Sequence, residues 1–207
     1  MSDKTIIINI GRQLGSGGHT IAKHLAETFN CKFYDKELLN LAARESGFSE
    51  KFFEQNDEQK GFFKSLFHMH APHVGENNFY NNRFSQESLF QFQSDAIRKA
   101  AEKGNCVFVG RCADYVLRDK KNATNIFITA SIEDRAKMVA DRHQCSIEEA
   151  MKIIQEKESS RASYYSYYTG KKWGNAASYD LCVNTSVLGI KSTTELIEAF
   201  IKKRYNV

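Results

Sequence analysis

The residues best suited to hold a phosphate lie near the start of the chain. A β-branched run from Thr5 to Ile8, continued by Ile10, passes into a turn containing Gly11, Gly15, Gly17 and Gly18. Apolar positions at helical spacing follow, at Ile21, Ala22, Leu25 and Ala26. This pattern predicts strand, loop and helix. Glycines let a backbone approach a ligand with no Cβ in the way, and the first turn of a helix presents unpaired N–H groups and a partial positive charge. The combination favours an anion, most often a phosphate.

The loop departs from the pattern GxxxxGK[ST]. Gly18 stands where the phosphate-binding lysine belongs, and His19 where a hydroxyl would hold Mg²⁺. Gly15, Ser16, Gly17, Gly18, His19 and Thr20 are therefore the candidate cofactor-binding residues, with Thr20 the hydroxyl left to meet a metal. Arg12, just beyond the predicted strand, is the candidate replacement cation. The competing reading is a tight strand-to-helix turn that binds nothing.

Further along, Cys31 to Tyr34 reads as a second strand ending at Asp35. In open α/β sheets the carboxyl ends of strands line the binding crevice, so Asp35 could orient a substrate or a hydrated Mg²⁺; it could equally cap the helix beginning at Lys36. Cys106 to Val109 is short, unbroken and apolar, as in a parallel strand covered on both faces, and it runs into Gly110-Arg111. The guanidinium of Arg111 suits phosphate oxygens, or an ion pair with Asp114. Arg135 and Arg142, two turns apart on one predicted helix, share a face. The segment Arg161 to Trp173, RASYYSYYTGKKW, interleaves aromatics and cations. Its tyrosines suit a stacking platform for single-stranded nucleic acid, a lid over a nucleotide base, or plain packing. His68, His70 and His73 have the right chemistry for zinc, but no fourth ligand lies nearby.

The remaining elements supply the frame. The first helix is predicted to run to about Asn30, further helices to span Lys36 to Glu45 and Ser49 to Asp57, and Lys60 to Ser85 to form an aromatic-rich insertion. Gln86 to Lys103 is an amphipathic helix stopped by Gly104. Asn125 to Ala130 and Tyr179 to Asn184 read as strands four and five, with helices capped by Ser131, Ser146 and Ser192.

At 207 residues the chain can bury a sizeable core, and Lys+Arg 29 against Asp+Glu 25 gives only +4, which lends little support to a nucleic-acid coat and fits a small phosphorylated ligand equally well. Five cysteines without a CxxC pair, and no signal-peptide pattern, point to reduced thiols in the cytoplasm. The longest apolar run is far short of a membrane span.

The stretches GRQLGSGGHTIAKHLA, FYDKELL, GNCVFVGR, NIFITASIEDRAK and YYTGKKWGNAASYDLCVNTS resemble the cytidylate kinase-like family of P-loop proteins over nearly the whole chain. The resemblance implies a three-layer α/β P-loop NTPase fold with a five-stranded parallel sheet, an acceptor-side helical insertion at 50–88 and a lid-like segment at 142–175. It implies ATP and Mg²⁺ as cofactors and phosphoryl transfer to a nucleoside monophosphate such as CMP or dCMP. By position, Gly15, Ser16, Gly17 and Thr20 align with the phosphate loop and Arg111 with the acceptor arginine. Arg161, preceded by Glu158, resembles the lid's acid-x-x-Arg pattern, and Arg135 and Arg142 are looser candidates, Arg142 on the acceptor side. The chain departs from cytidylate kinases at Gly18, at Cys112, where they carry an acidic residue, and from Tyr164 to Asn175. A nucleotide-binding protein that keeps this frame without turnover is the alternative.

Overall fold

The computed structural model describes residues 5–36 and 77–207, with side chains in the second stretch from Gln86 onward. In chain order the elements are β1 (Ile7–Arg12), α1 (Gly18–Thr28), β2 (Lys32–Tyr34), α2 (Asn77–Lys103), β3 (Cys106–Val109) and α3 (Ala113–Val116). Then come β4 (Ala123–Thr129), α4 (Ile132–His143), α5 (Ile147–Thr169), a 3₁₀ turn (Ala176–Ser178), β5 (Leu181–Asn184) and α6 (Thr185–Tyr205). The predicted helices at 36–45 and 49–57, most of the aromatic insertion, and His68, His70 and His73 lie outside the described residues.

The five strands form one parallel sheet in the order β2-β3-β1-β4-β5. Alternation along the strands sorts side chains onto two faces. Ile8, Ile10, Val107, Val109, Ile126 and Ile128 pack against Ile21, Leu25, Ile197 and Ile201 of α1 and α6. Ile7, Cys106, Phe108 and Ala123 face Ile97 and Ala100 of α2, Val116 of α3 and Leu117 just after it. Both faces are covered, which is why the strands read as unbroken apolar runs. A separate cluster joins α4 to α5 through Ala136, Val139, Ala140, Ala150 and Ile154, and Leu14 of the loop packs onto it.

Several boundaries differ from the sequence pattern. α2 begins at Asn77, ahead of Gln86, because helix propensity penalises asparagine only weakly. β1 extends through Arg12, which pairs in register with Ile128, so this arginine is the strand's last residue. β4 starts at Ala123 and β5 at Leu181. α6 starts at Thr185, where the Asn184 side chain accepts from the Ser186 amide, and Gly189 (φ 75°, ψ 166°) interrupts it. Ser192 lies inside that helix rather than at its cap. The caps at Ser131 and Ser146 form as expected, Ser146 in a reciprocal capping box with Glu149. All five cysteines are free thiols. Among the described residues no helix is long and apolar enough to cross a membrane.

Candidate active site

β1 is the central strand, flanked by β3 and β4, so the turn leaving it sits at the middle of the sheet's carboxyl edge. Gly15 (φ 82°) and Gly17 (φ 75°) adopt the left-handed backbone that only glycine enters without strain. Neighbours also crowd them: a Cβ on Gly15 would lie 2.6 Å from the Arg135 carbonyl oxygen, and one on Gly17 would lie 2.7 Å from Ile190 Cδ1. The loop is tied down from several sides. The Gln13 amide donates to the Ile128 carbonyl at 3.0 Å, and the Gln13 side chain accepts from the Thr129 hydroxyl and from the Ala130 amide. The Ser16 hydroxyl donates to the Gln13 carbonyl at 2.9 Å, and the Thr185 hydroxyl donates to the Ser16 carbonyl at 3.1 Å. Ser16 thus shapes the loop from inside, with its hydroxyl engaged by the backbone.

Gly17 is the N-cap of α1 and supplies no side-chain cap, so no side chain there competes for the amides of the first turn. This is the feature of the loop that fits a phosphate. Gly18, in the lysine's place, is buried beneath Arg12: a Cβ on it would lie 2.6 Å from Arg12 Cβ and 3.0 Å from Arg12 Cγ. Further out, the guanidinium of Arg12 lies against Gly110 at the end of β3. One side chain therefore bridges from the start of α1 to the carboxyl end of the neighbouring strand.

Gly110, Arg111 and Cys112 have φ values of 75°, 57° and 55°. Left-handed conformation at two consecutive non-glycine residues costs of order 1–3 kcal/mol each and persists only where the surroundings enforce it. The turn aims the Arg111 guanidinium over the Tyr164 ring, 5.3 Å from its centroid. The ion pair weighed for Arg111 does not form. Asp114 instead accepts from the Tyr165 hydroxyl at 2.6 Å, and burial raises its pKa above the ordinary 3.8. Burial also pushes the Cys112 thiol up to about 12, which makes it a poor nucleophile.

Arg161 joins the same corner: its Nη1 donates to the Arg12 carbonyl at 3.2 Å. Its pKa is lowered chiefly by burial, with a further push from Arg111 and an opposing pull from Glu158. The structure thus brings Arg12, Arg111 and Arg161 together. Arg135 and Arg142 do not share an environment. Arg135 is 6% exposed and paired with Glu158 at 2.6 Å, whereas Arg142 is exposed in the last turn of α4, about 10 Å of helix rise further on.

At the other side of the loop, His19 Nε2 lies 3.4 Å from Asp35 Oδ2, and the His19 ring meets Phe33 edge-on. Asp35 therefore reaches back to α1 from the end of β2. Thr20 is exposed in the first turn of α1. Among the described residues no three acidic, histidine or cysteine side chains gather as a metal cage. Thr20 in α1 and Asp35 at the end of β2 carry oxygen donors of the type that suits Mg²⁺, which keeps several waters and takes one or two protein ligands alongside phosphate oxygens.

Tyr164, Tyr165 and Tyr168 of α5 pack, whereas Tyr167 is exposed. Tyr168 stacks on Phe90 of α2 with ring centroids 3.9 Å apart, Tyr164 meets both rings edge-on, and the Tyr167 hydroxyl donates to Glu87 at 2.7 Å. Sequence reasoning missed three residues that shape the loop. Gln13 and Thr185 carry no distinguishing pattern, and Glu158 was visible only as the acid preceding Arg161. Its carboxylate accepts from the Leu14 amide at 3.1 Å.

Known proteins bear on this arrangement. A cytidylate kinase of Pyrococcus horikoshii is 29% identical over 204 residues, covering 97% of this chain and 91% of that one. A cytidylate kinase of Methanopyrus kandleri is 26% identical over 205 residues, covering 95% and 93%. The crystal structure of an uncharacterized protein from Eubacterium ventriosum superposes with a TM-score of 0.73 at 29% identity, covering 95% of this chain and 98% of that one. Shikimate kinase from Bacteroides thetaiotaomicron shares the fold at a TM-score of 0.52 and 14% identity, covering 96% and 99%. Residues 7–187 match the cytidylate kinase-like family, and the chain belongs to it.

Proposed function

We propose that this protein is an ATP-dependent kinase that transfers a phosphoryl group to a small phosphate acceptor, a nucleoside monophosphate such as CMP or dCMP. The observation that carries this reading is the meeting of Arg12, Arg111 and Arg161 beside the uncapped amides of α1. Phosphoryl transfer depends mainly on positioning and on cations that neutralise developing charge, and three arginines at one corner suit that task.

In this reading the amides of Gly15 to Thr20 bind the donor phosphates, and Arg12 supplies the cation that Gly18 lacks. Arg111 takes the acceptor phosphate with its planar fork, held in aim by Tyr164. Arg161 neutralises charge on the transferred group, and Asp35 orients the acceptor or the metal. Arg142 is the outlying acceptor-side candidate. Thr20, with Asp35, would hold Mg²⁺, which would supply positive charge to the donor phosphates. An acceptor that is already a phosphate anion needs no general base.

A second reading, nucleotide binding without turnover, is favoured by one observation: Arg12 is already packed across Gly18 and Gly110. A coupled assay of ADP formation with Mg-ATP and a panel of CMP, dCMP, UMP, AMP, GMP and non-nucleotide acceptors separates the two. Turnover that rises with a nucleoside monophosphate supports the kinase; Mg-ATP binding with no turnover across the panel supports the binding protein.

A further inference from the structure

The middle of the phosphate loop is held by a residue far away in sequence. Gln13 is tied to β4, Ser16 to Gln13 and Thr185, and Gly17 abuts Ile190. Between these anchors the Leu14 amide donates to Glu158 Oε1 at 3.1 Å, and the same oxygen takes Arg135 Nη1 at 2.6 Å. Arg135 in turn donates from Nε to the Ala130 carbonyl, and its own carbonyl faces Gly15 so closely that a Cβ there would lie 2.6 Å from the carbonyl oxygen. The circuit Leu14–Glu158–Arg135–Gly15 closes on the loop. One turn along α5, Arg161 grips the Arg12 carbonyl, so the helix holds the segment by both a donor and an acceptor.

A carboxylate next to a phosphate site would repel the ligand unless neutralised. Arg135 does this, with its side chain 8% exposed against 19% for Glu158. We propose that Glu158 is a positioning residue of the phosphate loop: through the Leu14 amide it keeps the 14–16 backbone in the conformation that receives the donor phosphates. The proposal rests on the nucleotide-binding reading above for its ligand, and on geometry alone for its hold on the loop.

The test uses the full chain as wild type, Glu158→Ala, Glu158→Gln and Ile154→Ala. Ile154 is buried in the α4–α5 cluster, onto which the Leu14 side chain packs, and makes none of the circuit's polar contacts, so its variant reports loosened packing without loss of the Glu158 hydrogen bonds. Amide hydrogen exchange is followed in the peptide spanning the loop without ligand, and Mg-ATP affinity by calorimetry. Glu158→Ala is expected to speed loop exchange and to weaken Mg-ATP, each about tenfold beyond Ile154→Ala. Glu158→Gln keeps an oxygen acceptor for Leu14 and Arg135 and is expected to stay within about threefold of wild type in both, even where its melting temperature falls. Loop exchange in Glu158→Ala no faster than in Ile154→Ala overturns the proposal. Because exchange is read on the free chain, a wild type that binds no Mg-ATP removes the kinase reading while Glu158 is still judged.

Discussion

Arg12 lies directly over Gly18, close enough that a Cβ on the glycine would meet Arg12 Cβ at 2.6 Å. The two positions are coupled: the missing lysine at 18 is what makes room for the arginine at 12. Alanine is ordinarily better than glycine in a helix by about 1 kcal/mol, yet overpacking costs about 1–3 kcal/mol, so the steric term wins here. Gly18→Ala is predicted to destabilise the protein by up to about 2 kcal/mol in urea denaturation. Arg12→Ala should restore most of that loss in the double variant, which would show that Arg12 is the colliding group.

Tyr164 aims Arg111 through its ring, and its hydroxyl donates to Gln93 at 3.4 Å, a long bond. Tyr164→Phe is therefore predicted to leave the acceptor KM within about twofold, whereas Tyr164→Ala raises it about three- to tenfold with kcat less affected. Equal KM values for the two variants would remove the ring from the account.

Asp114 titrates abnormally because it is buried, which raises its pKa above 3.8 despite the Tyr165 hydrogen bond. A carboxyl with a raised folded pKa holds its proton longer when folded than when unfolded. Stability contributed by that proton is complete below the unfolded pKa and falls as pH rises through the folded one. Asp114→Asn keeps an oxygen acceptor for Tyr165 and removes the titration. The variant is predicted to lose part of the stability decline that wild type shows from about pH 4 upward, and to be no less stable than wild type near pH 7. Denaturation midpoints across that range check it, and a variant clearly less stable near neutrality would mean that the charged carboxylate is favourable where it lies.

Much of this arrangement was legible in the sequence where a local pattern carried it. The loop announced itself through glycines whose φ values demand them, and β3 through an unbroken apolar run ending at Arg111. Ser131 and Ser146 were readable because a cap acts within three residues of itself. Glu158 was not, since its partner Leu14 lies 144 positions away and no spacing rule connects them. The start of α6 was hidden for a different reason. Gly189 breaks the helical pattern just before Ser192, which then imitates a cap. The tyrosines of α5 illustrate a third limit, because platform, lid and packing need the same residues, and only the position of Phe90 on α2 favours packing.

The central claim is that Arg12 supplies the charge a lysine would otherwise bring to the donor phosphates. The measurement that tests it most directly is the rate of ADP formation from Mg-ATP and CMP by wild type and by Arg12→Ala. Turnover by the wild type and a rate about a hundredfold lower in the variant, equivalent to about 3 kcal/mol of transition-state stabilisation, is the predicted result. A variant as fast as wild type, or a wild type that binds Mg-ATP and forms no ADP with CMP or any other acceptor of the panel, would contradict it.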